Sequence, residues 1–61
     1  MEFEIGQRVK WYIGKFYCCG IYKEKINDTT SSVQMYERDG QRYICKVEVL
    51  TELLSLIPEK E

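Results

Sequence analysis

Histidine is absent from this chain of 61 residues. With it goes the commonest general base at neutral pH. A zinc set built from cysteine and histidine also cannot be completed. Proline occurs once, and the glycines are only four, at positions 6, 14, 20 and 40. They lie too far apart to form a phosphate-cradling loop. No apolar run approaches the ~18 residues a membrane span needs. No charged-then-apolar leader opens the chain, so a cytoplasmic setting is expected. Cysteines number three, an odd count, whereas disulfide-stapled secreted domains use an even one. Cys18 and Cys19 are neighbours. On a strand, neighbours point to opposite faces, which makes them poor partners for one metal. All three thiols are expected to be reduced and to act as small hydrophobes. No metal and no cofactor is expected. A chain of this size also leaves little room for a water-excluding pocket. These shortages together point away from an enzyme.

What is present is globular in character. Hydrophobic residues make up 44% and charged residues 31%, which argues against disorder. One domain over residues 1–61 is expected, with a thin core. The net charge is −1, unevenly distributed. Residues 1–5 carry two acids and no base, residues 6–46 sum to +4, and residues 47–61 sum to −3. A basic middle between acidic ends is either a weak nucleic-acid footprint or an ordinary solvated surface.

Along the chain, strand signals dominate. Val9, Trp11 and Ile13 alternate with Arg8, Lys10 and Tyr12, the period of a half-buried strand. Gly14-Lys15 supplies a turn. Phe16 to Ile26 reads as a longer strand, and Gly20 within it suggests a bulge or a close backbone approach. Residues 27–32 form a polar loop of local hydrogen-bonders. Val33–Arg38 and Gln41–Lys46 are two more strands. Asp39-Gly40 between them is the strongest short-range hairpin signal, since a type I′ turn needs positive φ at both central residues. Leu50, Leu53, Leu54 and Ile57 fall at i, i+3, i+4 and i+7, which predicts a short helix over about residues 51–57, capped by Thr51 and stopped by Pro58.

Four strands in a meander followed by a closing element is the plan of a small barrel. The segment Ile5-Gly6-Gln7-Arg8-Val9-Lys10-Trp11 resembles the opening strand of Tudor- and KOW-like barrels. Gly14-Lys15-Phe16-Tyr17-Cys18-Cys19-Gly20-Ile21 resembles the second strand of Tudor domains. Asp39-Gly40, then Gln41-Arg42-Tyr43-Ile44-Cys45 and Val49-Leu50, resembles the last hairpin and closing turn. The resemblance covers residues 5–50. It implies an all-β, SH3-like barrel of four to five antiparallel strands, with the short helix at its end. Trp11 falls two residues after Val9 and so reads as core. Ile13 stands where reader-type Tudor domains carry a cage aromatic.

The aromatic excess carries the functional reading. Trp11, Tyr12, Phe16, Tyr17, Tyr22, Tyr36 and Tyr43 are more than a small barrel interior holds. Several tyrosines are therefore expected at the surface beside arginine and lysine. The expected site comprises Tyr12, Tyr17, Tyr22, Tyr36, Arg8, Lys10, Arg38 and Arg42. The leading expectation is a non-catalytic interaction module that binds a protein or peptide partner through these aromatics. The alternative is a nucleic-acid-binding barrel in which bases stack on tyrosines and phosphates meet the cations. A further alternative is a structural, self-associating small protein of bacterial or phage type that pairs through the C-terminal leucine face.

Overall fold

The structure, a computed structural model, describes residues 3–57. Its elements are β1 (Arg8–Ile13), β2 (Phe16–Lys25), β3 (Thr30–Arg38), β4 (Gln41–Leu50), a 3₁₀ turn (Thr51–Leu53) and β5 (Ser55–Leu56). All pairings are antiparallel, and the sheet runs in the order β4-β3-β2-β1-β5. No helix among the described residues is long and apolar enough to cross a membrane.

Two tight turns set the register. Gly14-Lys15 joins β1 to β2 with Ile13 opposite Phe16, and Gly14 has φ of 61°. Asp39-Gly40 joins β3 to β4 with Arg38 opposite Gln41. Both of its central residues have positive φ, 53° and 81°, as the type I′ geometry demands. Asp39 N–H donates to the Tyr17 carbonyl at 2.6 Å, which ties the second turn to β2.

Gly20 marks a close approach of β2 and β3. The β2–β3 register shifts between Cys19 and Gly20. A Cβ placed on Gly20 would sit 2.6 Å from Val33 Cγ1 and 2.7 Å from the Gln34 carbonyl oxygen. Only glycine lets β3 lie this near.

The core lies on one face of the sheet. It comprises Val9, Trp11, Cys18, Tyr22, Val33, Met35, Val49 and Leu54, with Phe3, Cys45 and Val47 packed against it. The Trp11 indole N–H is buried with no hydrogen-bond partner among the described residues. Such an orphan costs roughly 1–3 kcal/mol. The core therefore gains ring volume from tryptophan at the expense of polar satisfaction.

The structure differs from the sequence reading in four places. The sheet is not closed into a barrel, because β4 and β5 are its two ends and do not pair. The polar loop is shorter than residues 27–32. Asn27 Oδ1 accepts from the backbone N–H groups of Thr29 and Thr30, both at 2.9 Å, which closes the turn early and starts β3 at Thr30. Ser31 and Ser32 are consequently buried strand residues. The expected helix over residues 51–57 is a single 3₁₀ turn followed by β5. Seven residues are too few for a helix that stands on its own hydrogen bonds. The open edge of β1 offers this segment better partners. Ser55 and Leu56 pair with Lys10 and Val9, and Ile57 N–H donates to the Arg8 carbonyl at 3.0 Å. Of the leucine stripe, Leu54 is buried while Leu50 and Leu53 are exposed. Thr51 does not cap a helix. Its hydroxyl bonds Ser31 Oγ at 2.6 Å, and Ser31 reaches the Tyr22 phenol oxygen at 3.4 Å. Tyr22 is the fourth difference. It is a core residue with 5% exposure and is not part of a surface site.

Candidate functional site

The two faces of the sheet follow from the cross-strand register, because directly opposite residues share a face. One face carries the rows Val9–Gly20–Met35–Cys45 and Tyr22–Val33–Val47. The other carries Lys10–Cys19–Glu37–Arg42, Arg8–Ile21–Gln34–Lys46 and Tyr12–Tyr17.

Burial on the core face fades toward the two turns. Along β1, exposure runs from 0% at Val9 and 1% at Trp11 to 51% at Ile13. On β2 the buried Cys18 gives way to Phe16 at 41%, and on β4 Val49 gives way to Tyr43 at 44%. At the opposite end Phe3 packs its ring on Tyr22 at 5.5 Å between centroids, and Leu54 lies in the same cluster, with Ile26, Leu50 and Leu53 exposed beyond it. The end that carries the two tight turns is the open end of the core face, where Ile13, Phe16 and Tyr43 stay exposed. At the open end Arg38 lies between two rings, its guanidinium carbon 5.3 Å from the Phe16 centroid and 4.8 Å from that of Tyr43.

The second face meets this end at the Gly14-Lys15 turn. Tyr12, largely exposed, packs against the half-buried Tyr17 with ring centroids 5.4 Å apart. Cys19 is buried on this face, outside the main core cluster. The Tyr17 phenol is pushed up to about 12, first by hydrogen bonding with Cys19, then by desolvation and by the nearby Cys19, Tyr12 and Glu37 charges. It stays neutral across the physiological range. Burial pushes the Cys18 thiol up as well, with the Arg38 charge opposing. That is the setting of an inert thiol rather than a nucleophile.

Of the expected site residues, the structure gathers Arg8, Lys10, Tyr12 and Tyr17 on one face of β1 and β2, and puts Arg42 at the far end of the Lys10 row. Arg38 is turned to the core face, between Phe16 and Tyr43. Tyr36 is half-buried where the β3 register shifts against β4. Tyr22 is in the core. The sequence reading missed Ile13, Phe16 and Tyr43 as site residues. The usable signal was positional. Ile13 and Phe16 flank a turn on the core-facing parity, beyond the last residues the neighbouring strands cover.

Two open hollows lie at the far end of the sheet, one of about 170 Å³ between Asp28, Thr29, Leu50, Thr51 and Glu52 and one of about 290 Å³ between Phe3, Asp28, Thr51, Glu52 and Leu54. The larger is at the lower end of the ~300–1,000 Å³ of a ligand pocket. No family model matches the chain, and no curated protein or solved structure does.

Proposed function

We propose that this chain is a non-catalytic interaction module on an SH3-like plan of the Tudor/KOW type, binding a protein or peptide partner at the open end of its sheet. The resemblance in plan is supported by the four-strand meander and by the closing segment that returns to pair with β1, in a sheet that stays open between β4 and β5. The binding reading rests on one observation. Ile13, Phe16 and Tyr43 are exposed together on the core face, with Arg38 held between the two rings.

That arrangement selects a partner chemistry. A guanidinium sandwiched by rings keeps its N–H edge free for a carboxylate, which it meets in a fork. The flanking rings and Ile13 offer an apolar surface beside it. The expected ligand is a segment carrying an acidic residue next to an aromatic or aliphatic one. Lys15 at one adjacent turn adds to the attraction, and Asp39 at the other opposes it, which leaves Arg38 and Lys15 as the net positive pair.

A nucleic-acid reading draws on Arg8, Lys10 and Tyr12, which share the other face. Glu37 interrupts the Lys10–Arg42 row there, and Glu24 and Glu48 flank Ser32 on the same face. Phosphate affinity grows with the number of phosphates neutralised, and these acids lower the net charge of that face, so protein binding ranks first. Selection from a random displayed-peptide library, followed by fluorescence anisotropy, is the test. Acidic-aromatic peptides should be enriched, and Arg38→Ala and Phe16→Ala should each weaken binding about tenfold, the scale of one interface anchor. Sub-micromolar, salt-sensitive binding of labelled single-stranded DNA or RNA, with no peptide enriched, would reverse the ranking.

A further inference from the structure

β4 ends the sheet, and among the described residues nothing pairs with its outer edge. It runs ten residues, Gln41–Leu50, without proline or glycine. Such an edge is a template for another strand unless it is short, bulged, charged or covered, and here exposed Arg42, Lys46 and Glu48 restrict it to a strand whose charges answer theirs. β5 is an end as well, but it has only two residues.

We infer that the occupant of the β4 edge is the β4 edge of a second copy, paired antiparallel about a two-fold axis through Cys45. The inference rests on the order of charges along the strand. A two-fold axis perpendicular to the sheet sets residue i opposite a residue of the same parity, so that opposed side chains share a face. Only a few such registers exist near the middle of β4. With Cys45 on the axis, Arg42 lies opposite Glu48 of the second copy, and this contact forms twice. Tyr43 then meets Val47, and Ile44 lies against the Lys46 stem. Sliding the axis to Ile44 sets Arg42 against Lys46. Sliding it to Lys46 sets two lysines against each other, and sliding it to Val47 sets Lys46 against Glu48. Opposite charges facing across strands stabilise a pair and like charges oppose it. Charge alone leaves the Cys45 and Val47 registers, and ladder length decides between them, since the Cys45 register pairs residues 41–49 of each copy and the Val47 register only residues 44–50.

The exposed residues agree with this placement. Ile44 is 59% exposed and Tyr43 44%, and both sit on the edge strand. Arg42 and Glu48 are exposed and lie on the same face as Lys46, while Cys45 is half-buried on the core face. In the dimer the two open ends point in opposite directions, and Ile13, Phe16 and Arg38 stay outside the contact, while Tyr43 is shared between the open end and the paired edge.

Sedimentation equilibrium of the full chain from about 5 to 500 μM is the direct measurement. A monomer–dimer equilibrium is expected. Arg42→Glu and Glu48→Arg should each weaken it, by about tenfold for two reversed pairs, and the double variant R42E/E48R should recover it. Circular dichroism melts establish that each variant is folded. Diamide, which takes two electrons and two protons from a pair of thiols, gives a second readout. It should trap a Cys45–Cys45 disulfide dimer, lost in Cys45→Ser, diminished in either single charge variant and regained in the double. A chain that stays monomeric to 500 μM overturns the inference. So does a double variant no better than the singles, or cross-linking indifferent to the charge reversals.

Discussion

Replacing Gly20 by alanine adds one methyl group to the centre of the sheet. In an ordinary strand position this change is favourable, since glycine loses more backbone freedom on folding, by roughly 0.5–1 kcal/mol. Here the methyl carbon would fall 2.6 Å from Val33 Cγ1 and 2.7 Å from the Gln34 carbonyl oxygen. Val33 is fully buried and cannot swing away, and its Cγ1 is set by a stiff β-branched rotamer. The Gln34 oxygen belongs to the backbone of β3, which is paired on both sides. Relief requires β2 and β3 to part by several tenths of an ångström, along the pairing that holds Met35 opposite Gly20. Overpacking of this kind costs about 1–3 kcal/mol, and the rigid partners place it in the upper half, near 2 kcal/mol after the entropic gain. A domain of this size shifts its midpoint by about 4–8 °C per kcal/mol, so Gly20→Ala should lower Tm by roughly 8–16 °C. Urea titrations followed by the fluorescence of the buried Trp11 give the free energy directly. An unchanged or raised Tm would show that β3 does not approach Gly20 as described.

Two further outcomes follow from the turns and from the tyrosine pair. Gly40→Val should destabilise by more than about 1 kcal/mol, because Gly40 has φ of 81° and a β-branched residue resists that region; a thermal melt that leaves Tm unchanged would contradict the turn. Tyr17 titrates near 12 in the folded chain against 10 in an unfolded one. Its folded pKa is raised, so its contribution to stability is complete below pH 10 and lost as the pH climbs from 10 to 12. Wild-type protein should lose stability over that window more steeply than Tyr17→Phe, measured by urea midpoints at successive pH values, and parallel curves would remove the assigned shift.

How much of this was legible in the sequence depended on how local each signal was. Asp39-Gly40 was readable because positive φ at two adjacent positions restricts residue choice to a few types. Gly20 was readable because glycine weakens a strand interior, so its place within a β-branched and aromatic run marks a bulge or a close backbone approach. Trp11 followed from simple alternation with Val9. Tyr22 was not readable in this way. β2 lies in the middle of the sheet and is partly covered on both faces, with Cys18 and Cys19 both buried, so its alternation of polar and apolar residues is lost. The C-terminal leucines failed for a different reason. Their helical spacing spans only one register of seven residues, and a distant feature, the unpaired edge of β1, outcompeted it. The candidate site combined both problems. Tyr12, Tyr17, Arg8 and Lys10 share a face by alternation alone, whereas the meeting of Phe16, Arg38 and Tyr43 depends on three strands and a register shift.

The open end of the sheet and the placement of Arg38 have one physical origin. A chain near 60 residues buries only about 60% of the surface it exposes when unfolded, so some apolar surface must stay outside. Phe3, Tyr22 and Leu54 extend the core at one end. Among the described residues, nothing equivalent remains for Ile13, Phe16 and Tyr43 at the other. Bare rings there would be a liability for nonspecific association. A guanidinium over each ring contributes roughly 0.5–1 kcal/mol at an exposed site and keeps a charged group on the apolar surface. In the proposed function the same group is the anchor for an incoming acidic segment. Arg38→Ala would therefore do two things at once, weakening the proposed binding and exposing Phe16 and Tyr43. Arg38→Lys separates them, because lysine retains the charge and loses the planar stack and the fork. If recognition depends on the fork, Arg38→Lys binds acidic-aromatic peptides as poorly as Arg38→Ala while remaining as soluble as the wild type.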